Sequence, residues 1–362
     1  MTTSLFPQYV EKFFPNYVLS VVEKLNGRSL NNQIPFLFPT LLTPQFSADG
    51  RWASITAKYH SIAADVVALG SPLPLKSRDS LATWVGEIPK IGVKYSLNEV
   101  EMKNIDAMVA QNRPETDIVN RIFSDVPKAI NGIDERIEDI FLSMLSTGVG
   151  LTSHNIGEGI RIDMHYQDEN KFGVAKAWSD ATAKPIDDLQ KVFDKATLTD
   201  GHIIRHLYAD DTFFRALYSN EQIRGLFGFR QNFVGGGANV PNLSFAQLQE
   251  LFRSQWNIEI HRVVRATPTE INGVKQSHKA WANGVAALVC DDRIGDLVYT
   301  STAEETRPVA GVAYQMANEY TLVSQYANNE PLVEFTSAQA MVVPVINNVD
   351  RIYLLNSLEV VA

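Results

Sequence analysis

The stretch GHIIRHLYADD, residues 201 to 211, holds the side chains best suited to chemistry. His202 and His206 are four residues apart, a spacing that puts two imidazoles on one face if the segment is helical, with Asp210 one turn further on. A zinc-peptidase helix also needs a glutamate directly after its first histidine, and Ile203 stands there instead. His261 is far off in sequence. A metal-dependent enzyme using His202, His206 and Asp210 is therefore kept as a remote alternative, and ordinary polar positions are the preferred reading.

Other candidates carry less. The run Gly235, Gly236 and Gly237 is followed by Ala238, Asn239, Val240 and Pro241, without the Gly-Lys-Ser/Thr of a phosphate loop, so a surface loop is expected there. Cys290 precedes Asp291 and Asp292, whose like charges oppose thiolate formation, and no histidine is near it in sequence. A structural cysteine follows. No Gly-x-Ser-x-Gly elbow occurs, and the acidic pairs Asp187/Asp188, Asp291/Asp292 and Glu304/Glu305 share no pattern, which suits solvated faces. The expectation is a chain with no catalytic group, no cofactor and no metal.

The elements that would carry these residues belong to a large folded protein. The chain has 362 residues, 45% apolar and 20% charged, enough for a sizeable core in two or three lobes. A net charge of -9 argues against a protein held on nucleic acid by its own lysines and arginines, though not against one that encloses it. The single cysteine forbids an internal disulfide, as suits a reducing compartment. No signal peptide or membrane span is expected, so the chain reads as soluble and made inside a cell.

Along the chain, an amphipathic helix is expected around Tyr9 to Leu25. A segment broken by Pro35, Pro39 and Pro44 follows, either an arm over a neighbour or a strap over its own core. Residues 52–69 and 88–95 read as the two strands of a long hairpin, with SPLPLKSRDS as its polar tip. A lone hairpin is marginal in water and needs a partner surface. Trp84 marks either such an interface or a side chain packed back on its own domain. Next, Ile118, Ile122, Val126, Ile130, Ile133, Ile137, Ile140, Phe141 and Met144 recur at helical spacing. They predict one long helix from Pro114 to a Gly148 cap, kinked at Pro127. Strand is expected over 160–180, helices from Pro185 and over 211–227, and a capping box at Ser244 and Gln247 opening another helix. Short strands predominate from 258 onward. The fold class is α+β.

The order of these segments resembles the major capsid proteins of tailed bacteriophages, specifically the lambda-like major capsid protein E family with its Hong Kong ninety-seven-type fold. ADVVALGSPLPLKSRD (64–79), GEIPKIGVKYSLNE (86–99), IDERIEDIFLSMLSTG (133–148), RIDMHYQ with AWSDATAKPIDDLQKVFD (161–194) and FTSAQAMVVPVINNVDRIYLLNS (335–357) carry the likeness. It covers roughly residues 50 to 360.

The resemblance implies an N-terminal arm at 1–50 and an extended loop at 51–98. It also implies a peripheral domain with a spine helix at 99–205 and 331–362, and an axial domain at 206–330. Leu73, Leu75, Lys76, Arg78, Asp79 and Trp84 would make inter-subunit contacts through the extended loop. Ile133, Arg136, Ile137, Glu138 and Phe141 would mark the spine helix, and Gly235, Gly236 and Gly237 an axial-domain loop. The implied protein is a non-enzymatic shell subunit that forms hexamers and pentamers around double-stranded DNA without sequence-specific binding. A portal and a separate scaffolding protein would be partners, and a decoration protein is optional. Assembly would take place in the host bacterial cytoplasm and the product would be the virion head. An encapsulin-type nanocompartment shell is the alternative.

Overall fold

The computed structural model describes residues 3–26, 34–57, 81–151, 161–230, 241–271 and 274–361. Along the chain, the first helix α1 (Pro7–Asn26) is followed by a short α2 (Phe38–Leu41) and strands β1 (Leu42–Phe46), β2 (Arg51–Ala57), β3 (Leu81–Glu87) and β4 (Lys90–Leu97). Helices α3 (Glu99–Ala110), α4 (Glu115–Ile122) and α5 (Val126–Thr147) come next, then β5 (Val149–Leu151), β6 (Arg161–Asp163) and β7 (Lys171–Val174). Helix α6 (Pro185–Asp194) runs into a π-helical turn at Lys195–Thr199 and leads to β8 (His206–Asp210). Three helices follow, α7 (Asp211–Ser219), α8 (Glu221–Arg230) and α9 (Phe245–Trp256). The remainder is strand-rich: β9 (Glu259–Val263), β10 (Thr267–Ile271), β11 (Val274–His278), β12 (Val285–Val289) and β13 (Gly295–Thr300). After α10 (Ala303–Thr306) come β14 (Ala313–Met316), β15 (Leu322–Asn328), β16 (Val333–Ile346) and β17 (Ile352–Val360).

Three expectations need correction. The strand expected at 88–95 is β4, and its partner is β16 rather than the first arm of a hairpin: Leu97 faces Glu334 and Lys90 faces Met341 in an antiparallel ladder. The strand that pairs with β2 is β3, between the expected tip and the expected second strand, where no element is predicted; residues 58–69 of the expected first strand lie outside the described residues. Its Thr83, Trp84 and Val85 are exposed in succession, so β3 carries no period-2 signal, while β4 alternates against β16.

The long helix is two helices. α4 ends at Ile122, and α5 begins afresh at Val126. Pro127 thus sits in the first turn, where its missing N–H is no loss and its fixed φ favours initiation. It starts a helix instead of kinking one. The 22 residues of α5 span about 33 Å at 1.5 Å per residue. Gly148 ends the helix with φ +81, as expected of a cap. Between 161 and 180 only β6 and β7 are strands, separated by a 3-10 turn at Asp168–Asn170. The capping box of Ser244 and Gln247 is present.

Two compact units divide the chain. The first comprises Met1–Trp52, Gly86–Asp139 and Asp296–Pro344. Its six-stranded sheet runs β1-β13-β16-β15-β14, with β4 added on β16. The N-terminal segment straps this unit's own core: Phe14 and Tyr17 of α1 pack on the buried Phe123 ring, with centroids 5.7 and 5.2 Å away. At its start, Ser4 Oγ and the Leu5 amide donate to the Glu334 carboxylate at 2.5 and 2.9 Å.

The second unit comprises Ala53–Val85, Ile140–Gly295 and Val345–Ala362. Its five-stranded sheet runs β7-β17-β12-β8-β9, parallel at the two outer pairs and antiparallel within. Alternate residues Leu207, Ala209, Ile260, Ala286, Leu288, Tyr353 and Leu355 point to one face. There they bury against Leu189 and Val192 of α6, Phe213, Phe214 and Leu217 of α7, and Leu248 and Phe252 of α9.

Candidate assembly surface

β2 and β3 form a two-stranded sheet by themselves. Thr83, Trp84 and Val85 are exposed in succession on β3, whereas Trp52 and Ser54 of β2 are buried. Trp84 and Val85 are two large apolar side chains left exposed on β3, which is costly in water and marks a surface that takes a partner. Trp84 is 39% exposed, and its indole lies on the His165 imidazole with centroids 3.7 Å apart. It is thus braced on one side and open on the other. Leu73, Leu75, Lys76, Arg78 and Asp79 lie outside the described residues, as do Gly235, Gly236 and Gly237.

The residues expected to mark the spine helix are interior. Ile133, Ile137 and Phe141 are fully buried in α5. Arg136 pairs with Asp139 at 3.0 Å across one turn. Glu138, buried to 1% exposure, accepts the Leu37 and Phe38 amides at 2.8 and 3.0 Å. Leu37 gives α2 no side-chain cap, so a carboxylate from a distant helix serves in its place. Nothing local in the proline-rich segment announces this, because its acceptor is some hundred residues on.

The histidine segment departs from the expected helix. His206 to Asp210 is strand β8, and His202 lies in the preceding loop. The i, i+4 face does not exist, and the three side chains go to different places. His202 Nδ1 contacts the Tyr353 hydroxyl at 2.9 Å, and that hydroxyl donates to Asp200 at 2.8 Å. Asp210 is fully buried: it caps α7 by accepting the Phe213 amide at 3.0 Å, takes the Gly284 amide at 3.2 Å, and pairs with Lys279 at 2.6 Å. Burial acts to raise its carboxyl, but the Lys279 ammonium and these amides outweigh it and hold the group below the usual range.

His206 instead meets residues that sequence proximity does not suggest. Its Nδ1 lies 3.2 Å from His261 Nε2 and 4.0 Å from Glu259, and its Nε2 lies 2.9 Å from Asp292. β8 and β9 are parallel neighbours with His206 opposite Glu259 and Tyr208 opposite His261. The available signal was the alternation of Glu259 and His261 in a segment already read as strand. Cys290 is buried, and burial together with Asp291 pushes its thiol up to about 12. That agrees with a structural cysteine.

No described helix is long and apolar enough to cross a membrane. No curated protein sequence matches the chain significantly. Among solved structures, the fold is similar to a putative prophage capsid protein of E. coli CFT073, with TM-score 0.58 and 14% identity over 94% of this chain and 98% of that one. A phage-related protein of Bordetella bronchiseptica RB50 is similar at TM-score 0.54 and 10% identity, over 94% and 96%. A subunit of the bacteriophage PhiM1 mature capsid is similar at 0.50 and 9%, over 90% and 88%. These likenesses establish the α+β capsid fold. The family model of phage major capsid protein E matches residues 59–353, which favours a phage shell over a nanocompartment. The chain therefore belongs to the phage major capsid protein E family: it is a structural subunit of the multimeric capsid shell of a tailed phage.

Proposed function

We propose that the subunit acts through inter-subunit contact alone, without catalysis, and that its extended loop at 51–98 is the principal contact arm. The observation that carries this reading is the exposure of Trp84 and Val85 in succession on β3, a strand paired with β2 alone. Trp84, with Leu73, Leu75, Lys76, Arg78 and Asp79 at the loop tip, engages the peripheral domain (99–205 and 331–362) of an adjacent subunit. The arm at 1–50 stays on the subunit's own core, where Phe14 and Tyr17 pack on Phe123. The axial domain at 206–330, with the Gly235, Gly236 and Gly237 loop, meets its copies at the centres of hexamers and pentamers.

The net charge of -9 supports a shell that encloses double-stranded DNA without adhering to it, since a basic wall would add salt-dependent attraction to phosphates. Assembly takes place in the host bacterial cytoplasm with a portal and a separate scaffolding protein, and the outer surface is open to a decoration protein. Deleting residues 72–82 tests the central claim. Electron microscopy and sedimentation should show shells, tubes or rings for the intact chain and only small species for the deletion, with native circular dichroism for both. Normal shells from the deletion, or loss of folding in it, would refute the proposed arm.

A further inference from the structure

We propose that the polar face of β8 and β9 is a binding site for a divalent transition metal of the zinc class, with His206 Nδ1, His261 Nε2 and a Glu259 carboxylate oxygen as ligands.

The parallel register sets this up. His206 and Tyr208 on β8 and Glu259 and His261 on β9 share one face of the sheet, opposite the face through which Leu207 and Ile260 enter the core. The three ligand atoms lie within 4.8 Å of one another. Zinc bound tetrahedrally at about 2.0–2.1 Å from each nitrogen holds its ligands about 3.3–3.4 Å apart. His206 Nδ1 and His261 Nε2 are 3.2 Å apart, close to that edge. The Glu259 oxygen, 4.0 Å from His206 Nδ1, belongs to a 58% exposed side chain with room to swing inward.

Asp292 is the independent observation. It sits 2.9 Å from His206 Nε2, so the ring proton is donated there and the Nδ1 lone pair is turned toward His261 and Glu259. A carboxylate behind a ligating imidazole is the usual outer partner of a bound zinc, fixing tautomer and ring orientation. Tyr208 stacks on His261 at 4.6 Å and 14°, which sets the second ring. Two imidazoles and one carboxylate suit zinc and its neighbours rather than magnesium or calcium. The remaining position is open to water. A bound ion would brace the edge strand β9 against β8 and stabilise the folded chain by mass action.

The test uses the purified full-length chain, stripped with chelator and then titrated with zinc by calorimetry and with cobalt by visible absorption. Expected are about one equivalent per chain, tetrahedral cobalt bands, and a melting temperature that rises with zinc. Asp292→Asn should weaken binding about 10- to 100-fold. His261→Ala should abolish it, and His202→Ala should leave it intact. Without metal, His261 Nε2–H simply donates to His206 Nδ1. In that case the wild-type chain binds no stoichiometric zinc or cobalt, and the proposal fails. It fails equally if binding persists in His261→Ala. Should that variant not fold, the wild-type stoichiometry and Glu259→Gln, altered at the exposed rim, decide the question.

Discussion

Asp210 and Lys279 form an ion pair of 2.6 Å in which the carboxylate is fully buried and the ammonium side chain is 43% exposed. The asymmetry sets the cost of breaking it. Lys279→Ala leaves a buried carboxylate without its ammonium partner, still accepting the Phe213 and Gly284 amides, at a cost of about 3 kcal/mol or more. Asp210→Ala frees Lys279 into water but removes the α7 cap and strands the Gly284 amide, at about 2–4 kcal/mol. Denaturant unfolding of the unassembled chain measures both.

Stability should respond to acid in two opposite senses. The Asp210 carboxyl is held below its ordinary range, so its contribution is present above the unfolded value of about 3.9 and is lost as pH falls through the folded one. Burial raises Glu334 despite the Ser4 and Leu5 hydrogen bonds. Its contribution is complete below the unfolded value of about 4.3 and is lost as pH rises through the folded one. Asp210→Asn should flatten the acid limb of the stability curve, and Glu334→Gln should flatten the decline above it. Unfolding midpoints across pH 3–8 would show each.

Cys290 should be inert in the folded chain, since burial and Asp291 push its thiol up to about 12. A thiol-specific reagent should label it only after denaturant is added. Fast labelling of the native protein at neutral pH would contradict its burial.

Trp84→Ala should leave the subunit folded and impair shell formation, because the side chain is 39% exposed and stacks on the His165 ring rather than entering the core. His165→Ala removes the brace behind the indole and should give a milder assembly defect. Circular dichroism separates folding from assembly, and sedimentation reads the second.

Helix α5 offers a pair of interior tests. Phe141→Ala should cost about 3–5 kcal/mol through the cavity it leaves. Gly148→Ala should cost more than about 1 kcal/mol, because φ is +81 and a Cβ would meet Tyr166. Thermal melts of the two variants provide the comparison.

What could be read from the chain was whatever depends on near neighbours. The apolar spacing of Ile130, Ile133, Ile137 and Phe141 required a buried helix, Gly148 its end, and Ser244 with Gln247 the start of another. The order of these segments was enough to point to the capsid family, and the match over 59–353 bears that out.

Pairing was not legible in the same way. β4 and β16 lie more than two hundred residues apart, and nothing in Lys90–Leu97 states that its partner is Val333–Ile346 rather than β2. His202 and His206 looked like a pair because sequence spacing was read on a helical period. The strand put His206 beside His261 and Asp292.

By itself the sequence determined the α+β class and most element types, because propensity, capping and hydrophobic period act over a few residues, while the order of its segments carried the resemblance to the family. Only the tertiary structure decided which strands pair, which amides Glu138 caps, and which side chains surround His206. Those depend on contacts whose closure cost grows only slowly with loop length, so separation along the chain carries little information about them.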